Sequence, residues 1–299
     1  MSWENTFQTW ANGPSQTEQE KSENTERVIC DALNNNDRLA KLNILVFAQG
    51  SYKARTNVKL DSDVDICILL KDQVFVDYPQ NFTDKDSGLS DGTLIYPEFK
   101  NLVEETLVKR FGRQQVVRGN KAFDIHENTS RVAADVVPAF EHRRYTGKFN
   151  LNGTPEYLSG VEFRPDKGGR IINWPDQTHS NGVSKNTDTS RRYKRIIRIL
   201  KRLRNQMQEK KIVAANNVAS FLIESLVWNV PNASFNHSNY SDDVRDVLAH
   251  IFNNTISDEK CSEWGEVNEL KYLLRGGQPW SRIQAHNFIS AAWDYIGFE

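Results

Sequence analysis

Gln49-Gly50-Ser51-Tyr52-Lys53-Ala54-Arg55-Thr56-Asn57-Val58-Lys59-Leu60-Asp61-Ser62-Asp63-Val64-Asp65 is the stretch whose reading decides the fold. Ahead of it, Leu42 to Ala48 is a short apolar run of strand length, and behind it Ile66-Cys67-Ile68-Leu69-Leu70 is another. Gly50-Ser51 therefore stands where a strand gives way to a turn. A glycine there lets a phosphate approach the backbone, and the serine hydroxyl can donate to it. Asp63 and Asp65, two apart, project to one side if Asp63 already belongs to the second strand. Two carboxylates so placed repel each other unless a cation lies between them, so the pair reads as a divalent-metal site.

Singly, Gly-Ser is a turn and Asp-x-Asp a solvated strand end. In this order, between two apolar strands and with residues 52–62 as spacer, they resemble the signature of the DNA polymerase β-like nucleotidyltransferases: hydrophobic-Gly-Ser, then Asp-hydrophobic-Asp-hydrophobic. That superfamily pattern needs a third carboxylate on a later strand. Asp135, within Arg131-Val132-Ala133-Ala134-Asp135-Val136-Val137-Pro138, fits it.

The chain has 299 residues, enough for one large domain or two closely apposed ones with ample core. A net charge of −1 gives no global basicity that would point to nucleic acid. Cys30, Cys67 and Cys261 are odd in number and fall in no metal-ligand spacing, which predicts reduced thiols in a cytoplasmic protein. The N-terminus lacks the apolar region of a signal peptide, and no run approaches the length of a membrane span.

Periodicity predicts helices over Glu18–Leu39, Tyr96–Phe111, from Ser190 onward, from Ser220, and over Asp242–Asn253 and Gln284–Ile296. Residues 114–117 and 122–125 predict a hairpin about Gly119-Asn120. Asp72 to Gly92 and residues 141–190, punctuated by glycine and proline, predict loops, the second a candidate lid. The helix after Ser190 is rich in Arg and Lys and lacks acids. One face carries Tyr193, Ile196, Ile197, Leu200, Leu203 and Met207; the opposite one carries Lys194, Arg198 and Lys201 and is expected to present cations. Trp264, Trp280 and Trp293 read as packing anchors. The expected fold is α+β: a polymerase β-like nucleotidyltransferase core with a mixed sheet and bracing N-terminal helix over residues 1–165, then a helical domain over 166–299 closing a nucleotide cleft.

Across nearly its whole length the chain resembles the bacterial CD-NTases, relatives of cyclic GMP–AMP synthase and oligoadenylate synthase that make nucleotide second messengers in antiphage (CBASS) operons. The resemblance is carried by Gln49-Gly50-Ser51-Tyr52, Thr56-Asn57-Val58, Ser62-Asp63-Val64-Asp65, Ala134-Asp135-Val136-Val137-Pro138, Asn181-Gly182-Val183-Ser184-Lys185-Asn186, Tyr193-Lys194 through Lys201, and Ser220-Phe221-Leu222-Ile223-Glu224. The zinc-thumb cysteines of the animal synthase are absent from the sequence. The resemblance implies that Asp63, Asp65 and Asp135 hold two Mg²⁺ ions, with Mn²⁺ able to substitute. It implies that Gln49, Gly50 and Ser51 bind donor phosphate, that Lys201, with Lys194 as a second candidate, meets the triphosphate, and that Ser220 contacts phosphate while Phe221 stacks on the base. Asn181 and Asn186 would bear on base choice. The implied substrates are NTPs and the implied product is a cyclic oligonucleotide, most simply a cyclic dinucleotide. No obligate nucleic-acid activator and no membrane are expected. A monomer is expected, with any operon-encoded effector reached through the product.

Phosphoryl transfer asks for charge neutralisation and in-line positioning more than for covalent help, which three carboxylates and a cation-bearing helix supply. Two rivals remain at this level: a terminal nucleotidyltransferase acting on RNA, disfavoured by the near-neutral charge, and a non-catalytic nucleotide-binding module, disfavoured by three intact acids.

Overall fold

The computed structural model describes residues 2–58, 63–90, 92–129 and 131–299. Its elements run α1 (Trp3–Trp10), α2 (Gln16–Asn34), β1 (Ile44–Ala48), α3 (Gly50–Ala54), β2 (Val64–Asp77), α4 (Asp84–Ser87), α5 (Tyr96–Phe111), β3 (Val116–Arg118), β4 (Phe123–Ile125) and β5 (Ala134–Phe149). They continue with β6 (Pro155–Phe163), β7 (Ile171–Asn173), α6 (Pro175–Asp188), α7 (Arg192–Glu209), α8 (Ser220–Trp228), α9 (Tyr240–Thr255), α10 (Asp258–Cys261) and α11 (Arg282–Ile296). The chain forms two compact units. One is made of Gln16–Tyr52 and Asp63–Pro175, the other of Met1–Ser15, Lys53–Ser62 and Asp176–Glu299. Where a single division at residue 165 is expected, the two units interleave.

The first unit is built on a mixed sheet in the order β1-β2-β5-β4-β3, with β6 also on β5 and β7 on β6. Among the described residues only β2 and β5 run parallel, and the other pairs are antiparallel. The central strands carry the most continuous apolar runs, as strands covered on both faces must. Val64, Ile66, Ile68 and Leu70 of β2 are fully buried, together with Val136 and Ala139 of β5. Phe99, Val103 and Leu107 from α5, and Ile29 and Leu33 from α2, join them in one core. Each such side chain contributes roughly 1.5–3 kcal/mol by leaving water. Helix α5 keeps its expected limits because Pro97 pre-sets its first turn and Gly112, at φ +89°, ends it.

The second unit is organised around α7. Ile196, Ile197, Leu200, Leu203 and Met207 are buried against α8, α9 and α11, with Trp264, Trp280 and Trp293 packed around them. The chain's start belongs here because Phe7 is buried in this core and Glu4 accepts from the first amides of α9, Tyr240 N at 3.1 Å and Ser241 N at 2.8 Å. A carboxylate at a helix N-terminus satisfies otherwise orphaned N–H groups. Among the described residues no helix is long and apolar enough to cross a membrane.

Two expected loops are corrected. Residues 72–77 continue β2 past a bulge between Leu70 and Val74. Residues 141–190 hold most of β5, then β6, β7 and α6. Their glycines punctuate without breaking: Gly153, at φ +80°, makes the β5–β6 turn, while Gly160 lets Trp174 lie against the strand. Buried charge also hides these strands from a hydropathy reading. Glu162, wholly buried on β6, accepts from His142 Nδ1 at 3.0 Å and from Arg170 at 2.8 Å.

A Cβ on Gly160 would stand 2.7 Å from the Trp174 ring and 2.8 Å from the Asn173 carbonyl. Gly160→Val is therefore expected to cost roughly 1–3 kcal/mol, read as a lower urea midpoint at unchanged m-value. An unchanged midpoint would contradict the packing described.

Candidate active site

The sheet builds a row of carboxylates. Parallel pairing places Asp65 of β2 opposite Asp135 of β5, and antiparallel pairing places Asp124 of β4 opposite Asp135 on its other side. Neighbouring strands lie about 4.8 Å apart, so three acids stand abreast, with Asp63 immediately ahead of β2. Burial first, then a hydrogen bond with Asp124, then the charges of Asp65, Asp124 and Asp63, push the Asp135 carboxyl up to about 7. Among the described residues no three such side chains already converge in ligand geometry. The row nonetheless fits a divalent cation: hard oxygen donors side by side, with the Asp135 carboxyl resisting loss of its proton for want of a counter-charge.

Gly50 abuts this row. Gln49 N–H donates to the Asp65 carbonyl at 2.8 Å, tying the end of β1 to the start of β2. Gly50 itself has φ +62°, and a Cβ there would sit 2.1 Å from Asp65 Oδ2. Glycine is thus required both for backbone conformation and for close approach to an acid. Ser51 follows in the first turn of α3.

The remaining expected site residues lie in the second unit, in settings that differ from the expectation. Asn181 and Asn186 are on helix α6 rather than in a loop: Asn181 Nδ2 donates to the Val267 carbonyl at 2.9 Å, and Asn186 Oδ1 accepts the Lys194 amide at 3.1 Å. Lys194 is half-buried and lines a pocket with Thr56, Thr178, His179, Tyr193 and Glu224. Burial lowers its ammonium pKa against the opposing charge of Glu224. His179 is likewise held below its usual value, by burial and then by Lys53 and Lys194, and its Nδ1 has no hydrogen-bond partner among the described residues. Ser220 Oγ accepts from Arg204 at 3.2 Å, and the Phe221 ring leans on Trp280 at 6.3 Å.

Lys201 departs furthest from the exposed setting expected of it. The face of α7 expected to present cations is turned inward at its middle. Lys201 is 0% exposed, with its Nζ 2.5 Å from Glu224 Oε1, and Arg198 is buried on the Arg55 and Ala11 carbonyls. Asp124 and His179 were missed in the sequence, and Thr56 and Glu224, though within the quoted stretches, were given no role there. The hairpin strand carrying Asp124 is legible there, but its register against β5 is not. Nothing local links Thr56 to Glu224.

Because folding raises the Asp135 pKa above its unfolded value, the folded state binds that proton more tightly. Metal-free protein should therefore lose stability as pH rises from about 4 to about 7, by on the order of 1 kcal/mol after allowing for partial exposure. The slope attributable to this site is the difference between wild type and Asp135→Asn in urea titrations across that window. Parallel curves would remove Asp135 as a perturbed acid.

The model of the cGAS/DncV-like nucleotidyltransferase C-terminal helical domain matches residues 180–297. A cyclic dipyrimidine nucleotide synthase CdnE of Legionella pneumophila is 43% identical over 99% of this chain and 98% of its own length. A synthase of the same name from Cecembia lonarensis is 38% identical, with the same coverages. The solved structure of Elizabethkingia meningoseptica CdnE cyclic dinucleotide synthase with GTP and Apcpp superposes with TM-score 0.80, at 32% identity and 99% coverage of both chains. Carboxylate row, apposed glycine and full-length relatives agree, and the chain belongs to the bacterial CD-NTases, a family of nucleotidyltransferases that includes cyclic nucleotide synthases.

Proposed function

We propose that this chain joins two pyrimidine nucleoside triphosphates into a cyclic dinucleotide, without a nucleic-acid template or activator, as a second messenger of antiphage defence. The observation that carries the chemistry is the parallel register of Asp65 with Asp135 beside Gly50. The base choice rests on the two relatives at 43% and 38% identity, both named dipyrimidine synthases.

Asp63, Asp65 and Asp135 would hold two Mg²⁺ ions, Mn²⁺ substituting, which when bound neutralise triphosphate charge and acidify the attacking hydroxyl. Gly50 leaves room for a phosphate beside Asp65, with the Gln49 amide engaged by the Asp65 carbonyl and Ser51 following in the first turn of α3. In each of two transfers a ribose hydroxyl oxygen bonds to the α-phosphorus and the bond to pyrophosphate breaks. Asp135 is placed to receive the hydroxyl proton. The second transfer closes the ring. Lys194 and Asn181, with Ser220 and Phe221, are further candidates for nucleotide contact. The product, acting at a distance, is the route to an effector, and a cytoplasmic monomer suffices for this chemistry.

Purified protein given labelled UTP, CTP, ATP and GTP singly and mixed, with Mg²⁺ and then phosphatase, is expected to yield a resistant cyclic dipyrimidine whether or not DNA or RNA is added. Purine-only products would overturn the base choice, and label confined to the 3′ end of added RNA would make this a tailing enzyme. Asp65→Asn is expected to lower product formation by on the order of a hundredfold or more. Synthesis at the wild-type rate in that variant would remove the carboxylate row from the mechanism.

A further inference from the structure

We propose that Lys201 and Glu224 are positioning residues: a buried pin that fixes Arg55-Thr56, the turn following the helix of Gly50 and Ser51, so that Lys201 governs nucleotide affinity without touching the triphosphate. Lys201 is 0% exposed, and its ammonium is spent on three acceptors, Glu224 Oε1 at 2.5 Å, Thr56 O at 3.2 Å and Thr56 Oγ1 at 3.4 Å. Thr56, itself 1% exposed, donates its hydroxyl to the same Glu224 oxygen at 2.5 Å. An ammonium and a carboxylate at this depth stand only as a pair, since either alone would be an uncompensated buried charge.

A second set of contacts points to the same turn. Arg198, just under one turn earlier on α7, donates to the Arg55 carbonyl at 2.6 Å and to the Ala11 carbonyl at 2.8 Å. Two neighbouring turns of one rigid helix thus grip two consecutive carbonyls. The grip is needed because Arg55 has φ +55°, a left-handed conformation that a side chain with a Cβ does not adopt freely. The gripped segment is also a wall: Ala54 and Thr56 line the pocket that Lys194, His179 and Glu224 line from other elements. Moving Thr56 would move the wall facing Lys194, and would release the C-terminal side of the segment that starts at Gly50. Alignment of Lys201 with a triphosphate ligand fails on depth; what Lys201 holds is the protein.

The nucleotide part of this proposal rests on the function proposed above; the pin itself does not. The test uses the full chain with Thr56→Val, Thr56→Ser, Glu224→Gln, Lys201→Met and the Glu224→Gln/Lys201→Met double variant. Three readouts are taken: binding of a non-hydrolysable UTP analogue, the split between KM and kcat, and amide exchange over residues 53–58. Thr56→Val and Glu224→Gln are expected to raise KM about tenfold or more with a smaller change in kcat, and to speed exchange across the turn. Thr56→Ser should restore both, and Lys201→Met should add little in the Glu224→Gln background. A Lys201→Met loss of analogue binding that is undiminished in that background, with Thr56→Val silent, would mean Lys201 meets nucleotide directly and would overturn the proposal. If wild type binds no UTP analogue, the pyrimidine reading fails, while exchange at residues 53–58 still decides for or against the pin. Should Lys201→Met not fold, Thr56→Val against Thr56→Ser carries the same decision.

Discussion

The parallel pairing of β2 with β5 is the constraint from which the site follows. Backbone hydrogen bonding fixes Asp65 beside Asp135, and the buried Val64, Ile66 and Ile68 on the same strand hold that register, because a slip of one residue would turn Asp65 to the face that those three bury. Two like charges are therefore kept abreast by packing that neither of them supplies. Antiparallel β4 adds Asp124 on the other side, and the Asp135 carboxyl answers by holding its proton to about neutral pH. The repulsion is local and the packing that opposes it is distributed over the sheet and two covering helices. Functional sites commonly carry strain of this kind, supported by the structure around them.

The helical unit shows a different economy. Its central helix looks in sequence like a cationic surface, yet its middle cations are consumed inside: Arg198 on two carbonyls, Lys201 on Glu224 and Thr56, Arg204 on the Val218 carbonyl and Asn205. Buried guanidinium and ammonium groups with their donors satisfied fix geometry more than they add stability, since desolvation offsets most of the attraction. Lys194 sits at the edge of this set, half-buried and lining the pocket.

Much of the fold was legible because local rules coincide with tertiary ones. Tyr96–Phe111 combines apolar spacing with a proline at its start and a glycine at its end, and it forms within those limits. The pairing of Asp65 with Asp135 was legible because order along the chain, flanking strands and residue type all agree. The reading failed where a residue has two uses. Gly160, a breaker by composition, is a point of close approach, and Pro138 sits inside β5, its carbonyl accepting from Tyr96 at 2.8 Å. Glu162 and His142 looked like loop polarity but pair with each other within strands. Lys201 could not be placed because a basic stripe reads alike in water and against a buried acid; its partner Glu224 lies on the next helix, and Thr56 lies in another part of the chain altogether.

The most direct test of the account is a crystal structure with Mn²⁺ and a non-hydrolysable pyrimidine triphosphate, with anomalous scattering collected at the manganese edge. The account predicts manganese density bounded by Asp63, Asp65 and Asp135, with the Asp135–Asp124 hydrogen bond broken as the proton leaves. Triphosphate bound with no manganese at these three carboxylates, or with Asp135 still bonded to Asp124, would contradict it.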